Sequence, residues 1–211
     1  SFFKFSLANR NDNPLFFTDL EKSYQGANFH GQTVALPLDV LSIALTEIAV
    51  ISERRLNKIL DKARSNGLSP FLAGKSAGLT CGFEGAQYIP TSLVAECRTL
   101  CNPASIQSIP SNGENQDVVS MGLVAARKAR EIKNRVEYVL TVELLAACQG
   151  VEERGVSKLG EILSTVYNQV RKLVPTYKED RVMSGDFEKI KEFLHDGKVV
   201  EAVKTKINDL E

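Results

Sequence analysis

The chain has 211 residues, enough for one large domain or two small ones with a sizeable core. Its 26 basic and 26 acidic side chains give a formal net charge of zero, which excludes the electrostatic footprint of a nucleic-acid binder or of a protein held on an anionic membrane. Four cysteines with no CxxC pair, in a chain this long, read as buried thiols in a reducing cytoplasm and not as a disulfide framework.

The first residues, Ser1-Phe2-Phe3-Lys4-Phe5, lack an initiator methionine and a signal-peptide pattern, so they read as an interior position of a longer protein. Only Phe2 to Leu7 and Leu15 to Phe17 could be strands. From Pro37 to about Asp61, Leu38, Leu41, Leu45 and Ile48 recur at three- and four-residue steps, predicting a helix. Val40, Ile43, Ala44, Val50 and Ile51 make it apolar nearly all round, as expected at the centre of a bundle. Its longest apolar stretch, Ile43 to Ile51, is broken by Thr46 and Glu47, so no run is expected to span a membrane.

Residues 62 to 83 form a glycine-rich connection, followed by a helix from about Glu84 to Cys101 in which Pro90 is tolerated or makes a kink. Asn102 to Glu114 is irregular. A very long helix is predicted from Asp117, acting as its cap, to Gln149, with Val118, Met121, Ala125, Ala129, Ile132 and Val136 on one face and Gly150 as its stop. Thirty-odd helical residues extend roughly 45–50 Å, longer than a compact domain needs, which points to a long-helix bundle or an oligomer. Leu159 to Leu173 is an amphipathic helix ended by Pro175, and Asp186–Asp196 and Val199–Asn208 are shorter ones separated by Gly197. The fold class is all-α. The chain divides into an irregular segment with site loops (1–35), a central long-helix bundle (36–150) and a short-helix region (151–211).

Three constellations carry no chemistry. Gly74-Lys75-Ser76 resembles the end of a phosphate-binding loop, but Ser69 stands where a glycine is required and no strand precedes it. Cys97 and Cys101 share a helix face, yet His30 and His195 are the only histidines, too few for a metal cage, so core packing explains the pair and no metal is expected. Glu143, Glu152 and Glu153 read as a solvated surface.

Polar segments bordering the apolar helices remain. Asn11-Asp12-Asn13-Pro14 is turn chemistry. Asn28-Phe29-His30-Gly31 puts an aromatic and a histidine on a loop just before the first long helix. Asn112, Asn115 and Gln116 form an uncharged amide cluster that can donate and accept hydrogen bonds around a zwitterion without adding charge. From the residues alone, turn and cap chemistry explains each loop better than a binding site does.

These loops belong to an ordered series: Asn11-Asp12-Asn13-Pro14-Leu15, Gly26-Ala27-Asn28-Phe29-His30-Gly31-Gln32, Ser52-Glu53-Arg54-Arg55, Asn66-Gly67-Leu68-Ser69-Pro70-Phe71-Leu72, Asn102-Pro103-Ala104-Ser105 and Asn115-Gln116-Asp117-Val118-Val119-Ser120-Met121-Gly122. The series resembles the aromatic amino acid ammonia-lyase and aminomutase family from about residue 6 onward. That resemblance implies a C-terminal half of an enzyme that forms homotetramers of long helices, with active sites shared between subunits. It also implies a 4-methylideneimidazole-5-one (MIO) electrophile made from an Ala-Ser-Gly triplet. This chain has Ala104-Ser105-Ile106 instead, so the triplet, the catalytic tyrosine and the carboxylate-clamping arginine are expected in the N-terminal half, and the chain alone is expected to be inactive.

By the same resemblance Asn13 helps bind the substrate carboxylate, Phe29 lines the pocket, and Asn112, Asn115 and Gln116 lie near the electrophile and the substrate amine. Histidine-specific lyases resemble this sequence but carry glutamate in place of Gln116, followed by Asp-His. The stretch Gln116-Asp117-Val118-Val119 is similar to the phenylalanine- and tyrosine-acting branch. Glu84, at a pocket-wall position, resembles bacterial tyrosine 2,3-aminomutases, although a helix-start carboxylate favoured by the dipole explains it equally. The expected substrate is L-tyrosine or L-phenylalanine, and the expected partner is the N-terminal half of the same enzyme, in the cytoplasm, without nucleic acid or membrane. The alternatives are a histidine ammonia-lyase and a non-catalytic helical oligomerisation fragment.

Overall fold

A computed structural model describes residues 11–207 of the chain, so the strand candidate Phe2 to Leu7 lies outside the described residues. The described chain opens with a small antiparallel hairpin. Strand β1 (Leu15–Phe17) pairs with β2 (Lys22–Tyr24) in the register Leu15↔Tyr24, Phe16↔Ser23 and Phe17↔Lys22. A single tight turn at Thr18–Leu20 joins them, closed by Glu21 in the left-handed region. The Phe17 and Tyr24 rings meet edge to face at 5.6 Å. Strand β2 has no alternating pattern of its own and exists because β1 pairs with it.

Everything after the hairpin is helical or irregular, as the periodicity predicts. The helices are α1 (Gln32–Leu60), α2 (Glu84–Leu100), α3 (Gly122–Arg154), α4 (Glu161–Leu173), α5 (Ser184–His195) and α6 (Lys198–Lys204). Helix α1 starts five residues before the expected Pro37, because the Gly31 carbonyl accepts from the N–H groups of both Val34 and Ala35 and sets the first turn there. Pro37 then sits inside the helix and forfeits only the bond to the Thr33 carbonyl.

Two corrections concern α3. Gly150 does not stop it: the residue lies buried within the helix, and a Cβ there would stand 3.4 Å from Leu68 Cδ1 and 3.5 Å from Leu72 Cδ2. Those are ordinary contact distances, so the two leucines pack directly on this part of the helix. The stop falls at Gly155, whose φ of 99° suits glycine. At the other end, Asp117 does not cap the helix and Val118 is exposed, because residues 117–121 are not helical.

A third correction concerns α1. It is long and apolar enough, by length and composition, to cross a membrane, despite Thr46 and Glu47. A central helix in an assembly of helices has the same length and composition. Leu36, Val40, Leu41, Ile43, Ile48 and Ile51 along it are exposed.

The chain divides into two compact units. One takes the chain up to Thr46 and Arg98–Lys133, and the other takes Glu47–Cys97 and Asn134 onward. The first has a small core of Ala35, Ala104 and Ala125, with Leu38 and Met121 packed on it. The second holds the large core, centred on Leu56, Leu60, Phe83, Leu145, Val170 and Ile190. Each such side chain contributes about 1.5–3 kcal/mol by leaving water. Ala125, Ala129, Ile132 and Val136 of the expected α3 face are all buried.

Polar ties lock the second unit, and they overturn the reading of Glu143 and Glu152 as a solvated surface, while Glu153 is exposed as that reading has it. Glu143 accepts from Ser52 Oγ (2.5 Å) and from the Arg55 guanidinium. Glu152 Oε1 gathers Arg171 Nε (2.6 Å), Thr176 Oγ1 (2.7 Å) and Tyr167 OH (2.8 Å). Glu153 takes the backbone N–H and hydroxyl of Ser69. The sequence motif Ser52-Glu53-Arg54-Arg55 is thereby structural: Glu53 is buried and held by Arg54, while its two flanking members engage α3. The Arg54–Glu53 and Arg55–Glu143 pairs have exposed guanidinium groups and act as geometric anchors first, whereas Arg171–Glu152 is mostly buried on both sides.

All four cysteines are free, but only Cys97 and Cys148 are buried as expected. Cys81 is exposed because it lies on the irregular segment before α2. Burial pushes the Cys148 thiol up to about 11, so it stays protonated and unreactive near neutral pH. Native thiol labelling at pH 8 is therefore expected to modify Cys81 rapidly and Cys97 and Cys148 only after denaturation. Site mapping by mass spectrometry checks this, and rapid native modification of Cys148 would contradict it.

Candidate active site

The hairpin carries the first site residue. Asn13 and Gly26 flank its two strands, and Asn13 Oδ1 accepts the Gly26 N–H at 2.9 Å. A backbone N–H needs an acceptor, so this bond fixes which end of the amide is which. The Asn13 NH2 group is left as an outward donor with no partner among the described residues, on an exposed side chain. The Asn13–Pro14 peptide is cis, and Asp12 Oδ1 accepts the Asn13 N–H at 2.9 Å.

Phe29 lies in the turn before α1 and is half exposed, at 51%. The turn closes through a hydrogen bond from the His30 N–H to the Ala27 carbonyl. Immediately after it, the chain makes close contact with the segment that precedes α3. A Cβ on Gly31 would lie 2.7 Å from Ser120 Oγ, so any larger residue there would displace that hydroxyl. His30 Nε2 is 3.0 Å from the Val118 carbonyl, and Gln32 N–H reaches His30 Nδ1 at 3.3 Å.

The amide cluster sits on a loop shaped by its backbone. Ser111 and Gln116 exchange both backbone hydrogen bonds, at 3.1 and 3.2 Å. Between them Asn112, Gly113 and Glu114 take φ values of 55°, 61° and 66°. Asparagine and glycine suit that left-handed run, and the fold of the loop explains their presence. The side chains of Asn112, Asn115 and Gln116 are exposed and make no hydrogen bond among the described residues.

The bonds beyond the loop explain why α3 begins late. Asp117 Oδ1 accepts from the Val118 N–H (2.8 Å), the Val119 N–H goes to Ser108 Oγ (2.8 Å), and Met121 has a φ of 53°. These backbone groups are committed outside any helix. Upstream, the buried carboxylate of Asp39 on α1 accepts the N–H groups of Ala104 (3.1 Å) and Ser105 (2.8 Å). Gln32 Nε2 donates to the Ser105 carbonyl at 3.2 Å, and Lys128 on α3 donates to the Asn102 carbonyl. Burial works against the Asp39 charge, but the bonds from Ser105 and Ala104 and the Lys128 charge outweigh it and hold its pKa below the usual carboxylate range. Sequence reasoning missed Asp39. The available signal was an ionisable residue within an otherwise apolar helix turn, which has to find donors.

The structure therefore puts Asn13, Phe29, Asn112, Asn115 and Gln116 in one compact unit, and Glu84 in the other. Glu84 opens α2, is exposed, and borders a hollow of about 290 Å³ with Pro70, Phe71 and Cys81. Among the described residues no group of three or more His, Cys, Asp or Glu is placed to hold a metal ion.

Residues 2–172 match the aromatic amino acid lyase family, and the chain belongs to that family. It is 52% identical over 199 residues to the tyrosine ammonia-lyase of Cupriavidus metallidurans, a match covering 94% of this chain and 37% of that one. The MIO-dependent tyrosine 2,3-aminomutase of Streptomyces globisporus is 47% identical over 95% of this chain and 37% of its own length. The crystal structure of the tyrosine aminomutase from that organism superposes with a TM-score of 0.89 over 95% of this chain and 38% of its own. Histidine ammonia-lyase 1 of Fusobacterium nucleatum is 42% identical, over 95% of this chain and 39% of its own. The chain thus spans less than two fifths of the length of these relatives.

The close approach at Gly31 yields a test. Replacing Gly31 with Ala is expected to displace Ser120 Oγ from the Gly122 N–H and to cost about 1 kcal/mol, one modest hydrogen bond. In the double variant with Ser120→Ala, the nearest remaining atom is the residue 120 Cβ at 3.5 Å, an ordinary contact. A double-mutant cycle of unfolding midpoints should show the second change recovering part of the first, and strict additivity would contradict the contact.

Proposed function

We propose that this chain is the C-terminal portion of an enzyme that eliminates ammonia from L-tyrosine or L-phenylalanine, or shifts the amino group to the β-carbon. The observation that carries this reading is the Asn13 amide. Its oxygen is spent on Gly26, so its NH2 faces outward as a neutral donor, the form needed to share a substrate carboxylate with a cation. The similarity to tyrosine ammonia-lyase and tyrosine 2,3-aminomutase supports it.

The remaining residues follow from the same chemistry. Phe29 offers an exposed aromatic wall for an aryl side chain. Asn112, Asn115 and Gln116 present amides that donate and accept without adding charge, which suits a neutral, carbonyl-bearing group and a substrate amine. Gln116, where a histidine-acting enzyme would have glutamate, favours tyrosine or phenylalanine over histidine.

The family's MIO group, when present, supplies the electrophile that takes the substrate amine and makes it a leaving group. This chain does not carry its precursor: Ala104 and Ser105 are followed by Ile106, and both of their N–H groups are held by Asp39. Asn112, Asn115 and Gln116 are the residues that would face the group, with the triplet, the base and the arginine contributed by the N-terminal half. The exposed apolar side chains of α1, including Leu36, Val40 and Ile43, support assembly as a homotetramer whose subunits cover them.

In the full-length enzyme, Asn13→Ala is expected to raise KM for L-tyrosine about tenfold, the value of one hydrogen bond to a charged group. Unchanged kinetics would remove Asn13 from carboxylate binding. Assays on tyrosine, phenylalanine and histidine should show turnover of the first two, and chromatographic separation of β-tyrosine from coumarate distinguishes mutase from lyase. Histidine as the preferred substrate would overturn the reading of Gln116. The 211-residue chain expressed alone is expected to self-associate and to lack activity, and a clean monomer by light scattering would contradict the role given to α1.

A further inference from the structure

His30 is adjacent to the proposed pocket aromatic, yet nothing in the chemistry above uses it. Both of its ring nitrogens are engaged, and in opposite senses. The Val118 carbonyl can only accept, so Nε2 carries the proton and donates to it at 3.0 Å. The Gln32 N–H can only donate, so Nδ1 is the lone-pair nitrogen that receives it at 3.3 Å. The two contacts agree on one neutral tautomer.

The backbone on either side of this ring is packed to match. Gly31 approaches Ser120 so closely that a Cβ would meet its Oγ at 2.7 Å, and the Gly31 carbonyl would lie 3.6 Å from a Cβ on Gly122. Gln32 Nε2 makes a second bridge, to the Ser105 carbonyl at 3.2 Å. The segment before α1 is therefore keyed to the segment before α3 by one imidazole and one close backbone approach. Phe29 immediately precedes the imidazole in sequence, and Gln116 lies two residues before the carbonyl it holds. No regular secondary structure joins the two segments, since residues 117–121 are not helical.

We propose that His30 is a positioning residue: as a neutral Nε2–H imidazole it sets the register between the aromatic wall at Phe29 and the amides at Asn115 and Gln116. It does so without touching substrate. The proposal rests on the functional reading above for its effect on kinetics, and on the geometry alone for its effect on the two segments.

The test compares His30→Ala with His30→Gln in the full-length protein. The glutamine side chain can place an amide N–H near the position of Nε2 and donate to Val118, whereas alanine cannot. Hydrogen exchange followed by mass spectrometry is expected to show faster exchange at residues 117–121 in the alanine variant and near-native exchange in the glutamine variant. KM for L-tyrosine is expected to rise about three- to tenfold in the alanine variant, matching one neutral hydrogen bond, with kcat within about twofold. The glutamine variant should recover most of that rise. Unchanged exchange at residues 117–121 in the alanine variant would overturn the clamp whatever the substrate proves to be. Accelerated exchange with an unchanged KM, or equal KM values for alanine and glutamine, would overturn its positioning role. If the wild-type enzyme turns over neither tyrosine nor phenylalanine, the functional reading fails, and the exchange result alone decides the clamp.

Discussion

Asp39 places a buried carboxylate between two backbone N–H groups that no regular element can satisfy. Ala104 and Ser105 lie on the irregular stretch after α2, and their donors would otherwise be lost from water without replacement. An unpaired buried N–H costs about as much as a broken hydrogen bond, so the chain must route each one to a partner. Here the partner is a charge, which makes the bonds stronger and holds the loop closely to α1. Lys128 and Gln32 satisfy neighbouring carbonyls by the same logic.

The second unit meets the same requirement with a larger apolar core and side-chain networks. Phe83, Leu145 and Ile190 are fully buried, and the glutamates of the later turns of α3 each collect several donors around it. Tyr177 illustrates the economy: its backbone N–H and carbonyl both engage Gln149, its ring meets Phe83 edge to face at 5.3 Å, and its hydroxyl donates to Asp186. Burial first, and then that carboxylate, push its phenol up to about 12. Residues that look like surface charges in one dimension become acceptors once α1, α4 and the segments at Ser69 and Thr176 bring donors to them.

The two units use polarity for different ends. In the second, polar side chains are consumed by the protein. In the first, Asp39, His30 and Ser108 take up backbone groups of the loops, while the Asn13 NH2 and the amides of Asn112, Asn115 and Gln116 have no partners among the described residues. A loop whose backbone is fully bonded can present unbonded side chains in fixed positions, which is the physical meaning of preorganisation at a binding site.

Helical periodicity was decisive for the class of fold. Repeats of three and four residues from Leu38 to Ile48, and from Ala125 to Val136, force apolar faces that only helix packing can bury. The loop motifs were equally legible as an ordered series, because turn chemistry such as that at Asn13–Pro14 depends on local residue type. Tertiary structure alone decided where α3 begins and ends. Val118 and Val119 are acceptable helix residues, but their backbone groups are drawn to His30 and Ser108, and Gly150 lies inside the helix, packed beside Leu68 and Leu72. Strand β2, the roles of Glu143, Glu152 and Glu153, and Asp39 as the anchor of the loop were hidden for the same reason. Each depends on a partner distant in sequence, and periodicity carries information only about neighbours along the chain.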